Sequence, residues 1–147
     1  AWGTVSTDIK NSIIYLIGGI PFNTTLHSYE IESHKWDSVP GITLELGNIQ
    51  AVRDDSGKIY VFGGLMNLPR IYTNNMTIID INSSMSFVSQ MGAPLARVLY
   101  TATMLPDGVI VYIGGQGRDD ADGDPYVDIS QINLYNTKNG TWSLKVS

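Results

Sequence analysis

Ile13-Ile14-Tyr15-Leu16-Ile17-Gly18-Gly19 decides the fold of this chain, because its pattern returns twice, as Lys58-Ile59-Tyr60-Val61-Phe62-Gly63-Gly64 and Val109-Ile110-Val111-Tyr112-Ile113-Gly114-Gly115. Each stretch is a short apolar run rich in Ile, Val and Tyr. Length and β-branching favour strand over helix, and the absence of polar alternation marks a strand covered on both faces. The two glycines then permit positive φ and a close approach of neighbouring backbone, which a Cβ would obstruct. The pairs stand 45 and 51 residues apart. A period in that range belongs to repeat architectures, in which each unit buries its apolar face against the next.

Outward from each Gly-Gly pair the repeats stay parallel. A polar loop of variable length follows, then a further strand near Leu26 to Ile31, Met76 to Ile81 and Ile129 to Tyr135. An aromatic residue comes next: Trp36, Phe87 and Trp142. Tyr29 lies seven residues before Trp36, and Tyr135 seven before Trp142. The middle copy is degenerate, with Asp80 in the corresponding place before Phe87.

This arrangement resembles the kelch repeat, a four-stranded β-propeller blade marked by a Gly-Gly pair, a downstream Tyr and a Trp at set separation. The resemblance covers the whole chain. It carries over onto Gly18, Gly19, Tyr29 and Trp36, onto Gly63, Gly64 and Phe87, and onto Gly114, Gly115, Tyr135 and Trp142. It implies an all-β fold of kelch-type β-propeller blades: three four-stranded antiparallel blades over residues 1–45, 46–96 and 97–147. Two departures are visible. Phe87 replaces Trp, and the Arg that often precedes the innermost strand occurs once, as Arg97, where the other copies have Ala1 and Leu46.

Propellers have about four to eight blades, so three form an open arc. The phase expected from the repeats leaves no strand over to close a ring, and the end blades of such an arc expose faces built to pack on a neighbour. Large contiguous apolar patches are rare on soluble monomers. The expected partner is therefore self, a homodimer completing a six-bladed ring by twofold symmetry, or further blades of a longer chain.

Composition narrows the functional classes. The net charge is -5 and the nine basic residues are scattered, against the clustered Lys and Arg that phosphate neutralisation requires, so nucleic acid is not an expected partner. Apolar runs fall short of the ~18 residues of a membrane span. The absence of cysteine removes disulfides, thiolate metal sites and Cys nucleophiles. Four glycosylation sequons, at Asn23, Asn75, Asn82 and Asn139, fall in or beside expected loops and slightly favour an extracellular or secretory origin.

Candidate binding residues lie in the loops that follow the Gly-Gly pairs. The first loop contributes Phe22. The second contributes Leu68, Arg70 and Tyr72, which combine the apolar, aromatic and guanidinium groups enriched in interface cores. The third contributes Arg118, Asp119, Asp120 and Tyr126. Asp120, Asp122 and Asp124 alternate like the first ligands of a calcium loop, but the sixth and twelfth positions counted from Asp120 are Pro125 and Gln131 rather than Gly and Glu. No metal site, cofactor or catalytic residue is therefore assigned. His27 and His34 have no nucleophile or second ligand paired with them in sequence.

The expected function is a non-catalytic interaction module that binds a protein or a glycan through loops on one face of the propeller. The alternative is a carbohydrate-active enzyme on a six-bladed kelch ring, mutarotase-like or related to galactose oxidase. The Tyr-Cys cofactor of that oxidase cannot form in a chain without cysteine.

Overall fold

The computed structural model describes residues 3–19, 24–67, 71–117 and 126–146. Every regular element among them is a strand. The first sheet joins β1 (Thr4–Asp8), β2 (Ile13–Ile17), β3 (Thr24–Glu30) and β4 (Lys35–Leu44) in chain order, all antiparallel. Next come β5 (Leu46–Gly47), β6 (Ala51–Arg53), β7 (Lys58–Phe62), β8 (Leu65–Met66), β9 (Met76–Asp80) and β10 (Met85–Ser89). Of these, β6, β7, β9 and β10 form a second four-stranded meander. The remainder are β11 (Arg97–Val98), β12 (Thr101–Met104), β13 (Val109–Ile113), β14 (Gln116–Gly117), β15 (Gln131–Asn136) and β16 (Thr141–Val146). The third meander uses β12, β13, β15 and β16.

Two small two-stranded sheets, β5 with β8 and β11 with β14, were not anticipated from the sequence. In each, a residue pair just ahead of a meander bonds to the pair just after its Gly-Gly. Such two-residue strands carry no apolar period, which is why pattern reading passes over them.

The hairpins use local turn chemistry. Asp54 Oδ1 accepts from the amides of Ser56 at 2.9 Å and Lys58 at 3.0 Å, and Gly57 closes that turn at φ 95°. Side-chain carboxylates and amides at turn starts mimic a backbone turn in this way. In β4, Pro40 is tolerated because the strand lies at a sheet edge, and the register against β3 breaks between Thr25 and His27 opposite it.

Stacking of the sheets follows one rule, applied twice. Ile13, Tyr15 and Ile17 of β2 pack with Ile59, Val61 and Ile79 of the second sheet. Tyr60 and Phe62, on the opposite face of β7, pack with Ile110, Tyr112 and Tyr135 of the third. Each sheet thus meets its successor with residues one, three or five places before the first Gly, and its predecessor with those two and four places before. The second sheet is sandwiched, so four successive residues of β7, Ile59 to Phe62, are buried. The outer faces of the first and third sheets have no neighbour among the described residues. Val5, Leu16 and Trp36 are exposed on one, and Ile113 on the other.

Backbone links tie successive sheets together. The Gly19 amide donates to the Leu46 carbonyl at 3.1 Å, and the Gly64 amide to the Arg97 carbonyl at 2.9 Å. A Cβ on Gly18 would stand 2.5 Å from the Leu46 oxygen, and one on Gly63 2.4 Å from the Arg97 oxygen. Gly18, Gly63 and Gly114 share φ 65°. Glycine is therefore required at the first two for contact as well as conformation.

The register corrects one equivalence. Tyr29 faces Trp36 and Tyr135 faces Trp142, but the residue paired across β9 and β10 at the same point is Ile79 with Ser86. Phe87 stands one place further on, opposite Ile78, and is exposed. Because side chains alternate between faces, a shift of one residue moves Phe87 to the other side of its sheet. Ile79, fully buried, fills the place that Tyr29 and Tyr135 hold elsewhere. Neither Asp80 nor Phe87 is therefore the counterpart that the spacing in sequence suggests.

Candidate functional site

The loops after the Gly-Gly pairs leave equivalent points of the second and third sheets. Tyr72 bridges back to Leu65, and Tyr126 to Gln116, each bridging the first residue after a Gly-Gly pair. Backbone bonds fix the return: Thr73 N–H donates to Gly64 O at 2.9 Å, and Val127 N–H to Gly115 O at 2.9 Å. Tyr126 is 86% exposed and Tyr72 is half-buried. Phe22, Leu68, Arg70, Arg118, Asp119 and Asp120 lie outside the described residues. Only Tyr72 and Tyr126 among the loop candidates can thus be placed.

A second group comes from Arg97, whose distinctive place ahead of the third meander the sequence does show. It sits on β11 and is 3% exposed. With the Asn133 amide turned so that its oxygen faces the guanidinium, that oxygen accepts from Arg97 Nη2 at 2.9 Å and Nη1 at 3.2 Å. Arg97 Nε has no partner among the described residues. Burial disfavours the charged guanidinium and lowers its pKa, with the nearby Tyr100 acting in the opposite direction. The contrast with Arg53 is instructive. Arg53 reaches Asp8 Oδ2 at 2.7 Å across the first two sheets, a neutralised pair. Asp8 is held below the ordinary carboxyl range chiefly by its hydrogen bond from the Asn11 side chain, against the opposing effect of burial.

Arg97 opens onto a cavity of about 580 Å³ between the segment leading into the third sheet and the face of that sheet. Trp142 and Leu144 contribute apolar surface. Gln131, Asn133 and Ser143 contribute polar groups, and Asp128 lines the same space. Hydrogen bonds from Ser130, through its backbone amide and its hydroxyl, hold Asp128 in its ionised form. The volume and the mixture of aromatic and polar lining suit a small organic ligand.

Beneath the cavity lies an aromatic cluster. Trp142 meets Phe62 at 4.7 Å, Tyr135 at 4.9 Å and Tyr112 at 5.3 Å between ring centroids. Tyr100 donates its hydroxyl to Gln50 O at 3.2 Å and to Phe62 O. Tyr60 donates to Asp54 Oδ2 at 2.9 Å. The Tyr112 hydroxyl, buried among them, has no partner among the described residues. Burial, followed by the neighbouring tyrosines, pushes its pKa far up, so it remains a neutral phenol.

Other sequence candidates are separate from this site. His34 Nδ1 contacts Tyr29 OH at 3.1 Å on the exposed side of the first sheet. Among the described residues, no three His, Cys, Asp or Glu side chains come together in a way that would hold a metal ion, and no helix is long and apolar enough to cross a membrane. Two sequon asparagines, Asn82 and Asn139, are exposed in turns, and Asn75 is half-buried.

No protein-family model matches the chain. No curated protein matches it in sequence. The class defined by fold and site is thus an all-β protein of repeated antiparallel meanders with an arginine-based cavity.

Proposed function

We propose that the three meanders are kelch-type propeller blades and that the chain is a non-catalytic interaction module, its end faces completed by further blades of the same kind. The observation that carries this reading is the repeated link of a Gly-Gly amide to the carbonyl that opens the next sheet, at Gly19 with Leu46 and Gly64 with Arg97. Gly114 keeps the same φ 65°, yet a Cβ there would meet, among the described residues, only Ile129 Cγ2 at 4.0 Å. The third pair has the conformation that receives a successor's carbonyl. The outer faces support the same conclusion. The first sheet offers the face type that meets a predecessor, and the third offers the type that meets a successor, so each suits the other. A second copy then supplies both, with two identical junctions and six blades; a longer chain supplies them from its own sequence.

Protein or glycan ligands engage the face bearing Tyr72 and Tyr126, where the loops of successive sheets leave equivalent edges.

Light scattering across a concentration series tests the ring. A dimer that dissociates on Leu16→Glu, an exposed position on the outer face of the first sheet, is the expected result. A specific junction of this kind buries more than about 1,000 Å² in total. A folded chain that stays monomeric at high concentration overturns completion by a second copy. For the ligand face, a glycan array with wild-type protein against Tyr126→Ala is expected to show a signal that the variant loses.

A further inference from the structure

We propose that the Arg97 cavity binds a small sugar acid, its carboxylate on the Arg97 guanidinium and its hydroxyl-bearing body against Trp142 and the surrounding polar groups. This narrows the glycan-binding reading to an acidic sugar and rests on it only for the ligand class. The site itself is built by one chain and does not require ring completion.

A buried guanidinium needs acceptors for five N–H donors and a counter-charge to offset its lost hydration. Arg97 has neither in full. Among the described residues its one acceptor is the neutral Asn133 oxygen, its Nε is unpartnered, and it makes no ion pair. Arg53, at the preceding seam, also has an unpartnered Nε among the described residues, but it is less deeply buried and is neutralised by Asp8. The same fold therefore pairs one seam arginine and leaves the other facing a cavity of about 580 Å³. A planar carboxylate matches the guanidinium fork in geometry and charge.

The rest of the lining selects what the carboxylate is attached to. Trp142 and Leu144 offer apolar surface, while Gln131 and Ser143 offer hydrogen-bonding groups for hydroxyls. Asp128 in the same cavity offers acceptor oxygens to hydroxyl donors. A monoanion with a hydroxyl-rich body satisfies all of these.

The test uses the whole chain and three probes, followed by calorimetry and by NMR of the tryptophan indole signals: D-glucuronate, D-glucose as its neutral analogue, and L-alanine as a carboxylate on an amino-acid body. D-glucuronate is expected to bind and to shift the Trp142 indole, with D-glucose and L-alanine at least tenfold weaker. Arg97→Met should remove binding, and Arg97→Lys should weaken it at least tenfold by losing the fork. Because Arg97 is buried, Leu144→Trp provides a second variant at an exposed lining position, expected to fold normally and block the cavity. Absence of D-glucuronate binding to the wild-type chain overturns the site. D-glucose binding as tightly would leave a sugar site but overturn the carboxylate anchor, and preference for L-alanine would overturn the sugar-acid assignment. Undiminished binding in Leu144→Trp would place the ligand elsewhere and overturn the proposal.

Discussion

The amide of Gly64 donates to the carbonyl of Arg97 at 2.9 Å, so the glycine pair ending one sheet's second strand holds the segment that opens the next. Glycine at 63 and 64 is consequently an inter-sheet requirement as well as a turn preference. Gly63→Ala places a Cβ 2.4 Å from the Arg97 oxygen and must displace backbone. Gly92 is also left-handed, at φ 66°, but has nothing within 4 Å of its Cβ position among the described residues. Gly92→Ala should cost about 1 kcal/mol, the conformational penalty alone. Gly63→Ala should cost at least twice that in urea unfolding; equal losses would show that the close contact is not limiting.

Trp36 and Trp142 hold the same place in their repeats and differ in surroundings. Trp142 packs on Phe62, Tyr112 and Tyr135, whereas Trp36 touches Tyr29 at 4.9 Å and is 61% exposed. Trp142→Ala should lower stability by about 3 kcal/mol, the lower end for a large aromatic truncation. Trp36→Ala should change the thermal midpoint of dilute protein little and, if the proposed ring forms from two copies, weaken that association. Comparable destabilisation by the two variants in dilute protein would contradict the stacking described.

Asp8 and Arg53 form a pair in which each neutralises the other at the first seam. Removing one partner leaves a charge poorly compensated, and Asp8→Asn should destabilise by about 3 kcal/mol. The pH dependence follows from the depressed folded-state pKa of Asp8. Its stabilisation is fully present above the unfolded value of about 3.9 and is lost as pH falls through the lower folded value. Wild-type stability should therefore fall more steeply than that of Asp8→Asn below about pH 4. Parallel acid profiles would remove Asp8 as the cause.

Tyr100 and Tyr112 are both buried, yet among the described residues only the first has hydrogen-bond partners for its hydroxyl. Tyr112→Phe deletes an unsatisfied polar group and should be neutral or stabilising by up to about 1 kcal/mol, while Tyr100→Phe should cost about 1 kcal/mol and leave Gln50 and Phe62 carbonyls short of a donor. Denaturant midpoints of the two variants compare them directly. A larger loss for Tyr112→Phe would reveal a partner for its hydroxyl.

The triplicated apolar run before Gly-Gly, together with the polar turns, determined the all-β character and the three antiparallel four-stranded sheets, because strand period and glycine conformation are local properties of the chain. Ile14 to Ile17 and Ile59 to Phe62 look alike in sequence, yet Leu16 is exposed and Val61 is buried. Which faces are covered depends on whether a neighbouring sheet exists, and no local pattern records that. Phe87 illustrates the same division: spacing along the chain suggested an aromatic counterpart of Trp36, while the cross-strand register, set by the β9–β10 turn and the buried Ile79, chose Ser86. Arg97 was legible as an unusual residue at its repeat position. Its burial, the neutral acceptor at Asn133 and the cavity beside it arise from residues brought together across 36 positions of chain, and only the packing of the third sheet produces them.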